Sequence, residues 1–137
     1  MSDNNDKKNR MKKFWKPLLW AIIILILSGI PGQVVEPYVF WNADKLVHTV
    51  IYFGLTMFLL AAFNKLPSLS FFNQKAASIA MFISIFYGGL MEVLQATVFI
   101  NRSGNLPDFA FNSAGAIVAA MTFSFWMKNG FLRKIIG

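Results

Sequence analysis

The chain has no cysteine and a single histidine, His48, among 137 residues. The first absence excludes a disulfide scaffold, a thiolate nucleophile and any cysteine-based metal site. The second excludes a multi-histidine zinc centre within one chain. Charge is scarce as well: 14% of residues are charged against 56% hydrophobic, far from the soluble average. It is missing altogether from residues 17–35, 46–64, 76–91 and 109–127. A helix that crosses a bilayer needs about 20 mostly apolar residues, close to the length of these runs. A soluble core helix would show a polar stripe at period 3.6, and these runs show almost none. The length allows one domain. The expectation is an all-α membrane protein with a bundle of four transmembrane helices. It has a basic tail over 1–16, the membrane domain over 17–127 and a short basic tail over 128–137.

The net charge of +7 does not point to nucleic acid, because the basic residues flank apolar runs rather than cover a soluble face. Eleven of them fall in the two tails and in the connection between the second and third runs, at Lys65 and Lys75. The other two connections hold only Lys45 and Arg102. Basic residues stay cytoplasmic, so both termini are expected inside, with 31–45 and 95–108 outside. The first run follows a basic stretch, as in a signal peptide, but Pro31 interrupts the small residues that cleavage would need. Residues 18–35 are therefore read as a retained span with a broken outer end. Tyr38, Phe40 and Trp41, with Trp15, Trp20 and Trp126, fit interfacial aromatic belts. The polar, basic N-terminal residues fit a disordered tail that meets anionic lipid heads.

With that orientation, polar side chains converge at the outer ends of three runs. Asp44 and His48 stand four apart on one helix face, and Tyr52 continues it one turn deeper. Glu92 and Gln95 stand three apart near the end of the third run. In "NLPDFAFNSAGA", Pro107 suits a helix start, Asp108 its first turn, and Asn112 follows on the same face. Gly115 and Ala119 form a small-xxx-small pair that lets another helix approach. An unpaired carboxylate inside a span costs up to about 2.5–3.5 kcal/mol. Glu92 should therefore be paired, protonated or functional, with Arg102 and His48 as the natural partners.

The stretches "DKLVH…Y" at 44–52, "YGGLMEVLQ" at 87–95, Arg102 and "DFAFNSAG" at 108–115 resemble the VanZ-like membrane proteins. The family pattern reads D-K-x-x-H-x-x-x-Y, then Y-G-x-x-x-E-x-x-Q, then R-x-x-x-x-x-D-x-x-x-N-x-x-G. The match covers about 40–120, with order and internal spacing kept. Two departures stand out: one extra residue between Gln95 and Arg102, and Asn101 where the family has Gly before the Arg. The resemblance implies a four-helix bacterial inner-membrane protein. The family's name-giving member is linked to teicoplanin resistance. The family's polar signature falls on Asp44, Lys45, His48, Tyr52, Glu92, Gln95, Arg102, Asp108 and Asn112.

Three readings follow. In the first, an envelope protein without catalytic activity binds a lipid or a lipid-linked cell-wall precursor, or a partner protein, through Arg102, Lys45 and a protonated His48. In the second, an enzyme acts on a lipid substrate with His48 as general base, Glu92 or Asp108 orienting it, and Ser103 or water attacking. In the third, the polar set is only an interhelical network. Transport would need a homo-oligomer, because no span carries a polar residue clearly at its midplane. No cofactor is expected. Under the enzyme reading, paired carboxylates with the lone histidine could also hold one divalent metal, a ligand set common by chance. A stoichiometric transition metal is not expected, since one histidine and no cysteine make a poor soft-ligand set and the carboxylates have basic neighbours.

Overall fold

The computed structural model describes residues 11–35, 43–66 and 70–136. They form six helices, with no strand among the described residues: α1 (Trp15–Gly29), α2 (Gly32–Val35), α3 (Ala43–Asn64), α4 (Ser70–Thr97), α5 (Leu106–Lys128) and α6 (Gly130–Ile136). Among the described residues, three helices are long and apolar enough to cross a membrane: α3, residues Lys75–Thr97 of α4, and α5. At 1.5 Å per residue, the 22 residues of α3 extend about 33 Å, against a hydrocarbon core of about 30 Å. The 15 residues of α1 extend only about 22 Å. Tyr38, Phe40 and Trp41 lie outside the described residues.

Local chemistry sets the helix ends. α1 stops where Ile30 turns extended, at φ −67° and ψ 127°, because a residue that precedes proline is pushed out of the helical region. α5 starts at Asn105, whose side chain accepts the Asp108 N–H, with proline in the first turn. That is a polar N-cap followed by a pre-set φ. α4 runs past Glu92 to Thr97. The charge-free run ending at Met91 understated the span, because a hydrogen-bonded carboxylate does not end a helix.

α3, α4 and α5 pack on one another, α1 docks against α3 and α4, and α6 folds back on α5 and α3. The outward faces are apolar: Phe82, Phe86, Met121 and Phe125 are all exposed. The interior holds Thr56, Ser84, Asn112, Glu92, Gln95 and Asp108, all buried. This inversion suits a bundle whose solvent is lipid, where polar groups must be satisfied among the helices. Thr56 and Ser84, for example, are bonded across 2.8 Å.

The α3–α5 contact is the tightest. A Cβ on Gly115 would lie 2.2 Å from the Thr49 carbonyl oxygen, so backbone meets backbone there. Ala119, one turn on, is fully buried, and the small pair works as its spacing suggested. α1 is held differently, by side chains that reach its carbonyls or its partner's. Trp20 Nε1 donates to the Ile51 carbonyl at 2.9 Å and Tyr87 Oη to the Ala21 carbonyl at 2.7 Å. Trp20, expected as an interfacial anchor, is thus a tie between helices, and it packs edge-on against Phe58. Trp126 also turns inward, edge-on to Phe53, while Trp15 stays exposed.

The ends of the bundle differ in charge. Lys13 Nζ donates to the Lys65 carbonyl and Lys16 Nζ to the Ile135 carbonyl at 2.8 Å. These bonds bring the α1 start, the α3–α4 connection and α6 to one end. Asp44, His48, Glu92 and Asp108 gather at the other, and α1 runs between the two.

Candidate functional site

Three helices deliver the polar side chains to one place. His48 on α3 lies with Nδ1 2.9 Å from Asn112 Oδ1 on α5. Asn112 Nδ2 donates to Glu92 Oε1 on α4 at 3.2 Å. Glu92 Oε2 accepts the Asn105 backbone N–H at 3.0 Å, and Asn105 Nδ2 donates to Asp108 Oδ2 at 2.8 Å. His48 Nε2 then faces Asp44 Oδ1 at 3.6 Å and Asp108 Oδ2 at 3.9 Å. The six side chains and one backbone amide form a ring that is hydrogen-bonded on every side except this last one, where Asp44 and Asp108 both face His48.

The ring fixes the imidazole. An ionised Glu92 only accepts, and with it in that form Asn112 turns its NH₂ to Glu92 and its oxygen to His48. His48 Nδ1 therefore carries a hydrogen, and Nε2 points at the two aspartates. Asn112 is fully buried and His48 partly so, which leaves little freedom to rearrange.

The expected partnership of Glu92 with Arg102 does not form. Neutral donors, the Asn105 amide and the Asn112 side chain, hold both oxygens of Glu92 instead. The Asn105 N–H belongs to the α5 N-terminus, where free amides and the helix dipole favour a negative group. The Arg102 guanidinium goes to the C-terminal end of α1. Nε donates to the Ser28 carbonyl at 3.3 Å and Nη2 to the Leu27 carbonyl at 3.4 Å, which also accepts the capping Ile30 N–H. Gln95 Nε2 also donates to the Ser28 carbonyl, at 3.3 Å. Glu92 and Gln95, three apart in the sequence, thus serve different neighbours.

The connection before α5 is shaped for this. Asn101 has φ 55°, a left-handed backbone that Asn tolerates better than most residues other than glycine. That explains how Asn stands where the family pattern has Gly. A Cβ on Gly104 would lie 2.1 Å from the Glu92 carbonyl oxygen, so only glycine lets the loop pass this close to α4. Asn105 is the residue that sequence reading missed. Its signal was an Asn three positions before Asp108, ahead of a proline, an N-cap arrangement.

A cavity of about 220 Å³ opens beside the ring, between α1, α3, Gln95 and Arg102. Ile24, Leu27, Val47 and Ile51 give it apolar walls, while Asp44, His48, Tyr52, Gln95 and Arg102 make up its polar part. Lys45 lies elsewhere, with Nζ 5.8 Å from the centre of the Phe111 ring. Ser103 is exposed and does not line the cavity.

Fold and site together define a helical membrane protein with a polar cluster at one end of its bundle. Residues 3–127 match the VanZ/LLP1 family model, and the chain belongs to that family. No curated protein and no solved structure matches it significantly.

Proposed function

We propose that this protein is an integral protein of a bacterial cytoplasmic membrane that binds an amphiphile in the cavity beside its polar ring. The ligand class is a lipid or lipid-linked cell-wall precursor, with its apolar part along α1 and α3 and its anionic head toward Arg102. The observation that carries this reading is the mixed lining of the cavity, apolar at Ile24, Leu27, Val47 and Ile51 and polar at Asp44, His48, Gln95 and Arg102. Arg102 uses two N–H groups on α1. A guanidinium has five, so three remain for an anion.

In this reading α1 is the fourth span and its flanks complete the crossing. Both termini are cytoplasmic, by the rule that basic residues stay inside. Residues 1–16 and 128–137 are the cytoplasmic tails of one membrane domain, and the polar ring faces out. If the head group is that of a precursor which glycopeptides bind, loss of the protein alters glycopeptide sensitivity. The enzyme reading draws on the anchored imidazole of His48 as general base. Of its two expected nucleophiles, Ser103 lies outside the cavity lining and only water remains, so binding is the better supported reading.

The test is a census of retained lipid by native mass spectrometry on wild type and Val47→Trp. Val47 is exposed and lines the cavity, so an indole there fills the space without entering the core. Wild type should retain an amphiphile that Val47→Trp loses. Equal retention in both would refute the proposal.

A further inference from the structure

The ring of hydrogen bonds has one unfilled side, and three acceptor atoms face one another across it. With its Nδ1–H committed to Asn112, a neutral His48 presents the Nε2 lone pair to Asp44 Oδ1 and Asp108 Oδ2, at 3.6 and 3.9 Å. These separations are too long for hydrogen bonds and leave acceptors opposed with nothing between them. We propose that Asp44, His48 and Asp108 hold one divalent cation of the zinc or manganese type. One ligand atom from each lies within 4.8 Å of the other two. Two ligands on a tetrahedral ion at 2.0–2.2 Å stand about 3.4 Å apart. The two histidine–carboxylate pairs, at 3.6 and 3.9 Å, therefore need shifts of a few tenths of an ångström. The two carboxylate oxygens, within 4.8 Å of each other, need up to about 1.4 Å.

The surroundings fit this role. A metal-bound histidine almost always donates its other ring N–H to an oriented acceptor. Here that acceptor is Asn112, fully buried and fixed by Glu92. Asp108 is fixed in turn by Asn105. One nitrogen with two carboxylate oxygens is a donor set for zinc or manganese rather than for copper(I) or an iron–sulfur cluster. Asp44 and His48 also line the cavity, so an ion there would keep positions open toward it, as in zinc sites that take an exchangeable ligand. The inference deepens the proposed function by giving an anionic head group a second positive contact beside Arg102. The sequence alone argued against a metal by counting soft ligands. It could not show that three hard or borderline donors from two helices point at one gap.

Zinc serves as the probe, added without lipid to chelator-treated full-length protein in detergent. Calorimetric titration and thermal shift should give one saturable site per chain. Asp44→Asn changes an exposed side chain and should weaken zinc at least tenfold with folding unchanged; His48→Gln should abolish binding. Glu92→Gln does not touch the ion. It frees Asn112 to flip, which offers His48 Nδ1 a donor and moves the ring hydrogen to Nε2, so it should weaken zinc 10- to 100-fold. No saturable binding by the wild type would mean that a proton alone fills the gap, and the proposal fails. Binding unchanged in folded Asp44→Asn would also overturn it, whatever the fate of His48→Gln. Lipid retention measured with chelator present tests the amphiphile reading separately: retained lipid with no zinc site sinks the ion and spares the cavity.

Discussion

The contacts that α5 and α1 make with α3 are built on opposite plans. Against α5, Gly115 and Ala119 bring backbones together and leave no space. Against α1, a long side chain spans the distance, Trp20 of α1 reaching the Ile51 carbonyl of α3, and a cavity remains beside it. In lipid there is little hydrophobic drive between helices, so close packing fixes what must stay fixed. Polar ties at arm's length suit a wall that borders a binding space. The ring straddles both plans: Asn112 and Asp108 sit on the sealed side, while Asp44 and His48 open to the cavity.

The sealed side should be the more fragile. Gly115→Val would drive a side chain into the Thr49 carbonyl, and we expect at least about 3 kcal/mol of destabilisation, read as loss of a cooperative melt in detergent. A melt near wild type would show that α3 and α5 are not in backbone contact. Next in size, Asn112→Leu strips His48 and Glu92 of a shared partner inside the bundle. About 1–3 kcal/mol per unsatisfied buried group should appear as a lower melting temperature.

The α1 side should respond locally. Arg102→Ala removes two long hydrogen bonds to α1, at about 1 kcal/mol in all. The global melt should barely move, while hydrogen exchange at Leu27–Ile30 accelerates and anionic lipid is lost. If the ring is structural only, Arg102→Ala leaves lipid retention unchanged. The smallest effect on stability comes from topology probes. Cysteines at Ser103 and Lys128, both exposed, can be placed freely in a chain with no cysteine of its own. The first should label in intact cells with an impermeant reagent and the second only after lysis; the reverse pattern would invert the orientation.

How much could be read from the sequence divides along the same line. The helices were legible because lipid-facing residues leave long charge-free runs, and Gly115 with Ala119 showed its role by spacing. Asp44, His48, Glu92, Asp108 and Asn112 could be grouped by depth and helix face. Their partners could not. Glu92 was assigned to a cation because charge is visible in a sequence, while the Asn105 backbone amide that holds it is not. Arg102 was read as an anion receptor, and nothing in its position reveals that two of its N–H groups also meet the Leu27 and Ser28 carbonyls at the end of α1. Trp20 and Trp126 were read as anchors by composition, and only packing shows them turned inward.

The most direct measurement is photocrosslinking of lipid in native membranes from two positions, a crosslinking residue at Val47 in the cavity and another at Phe86 on the outward face of α4. The account predicts that position 47 captures one head-group class, saturably and only with Arg102 present, while position 86 captures bulk lipid in proportion to its abundance. The same mixture of lipids at both positions, unaffected by Arg102→Ala, would contradict it.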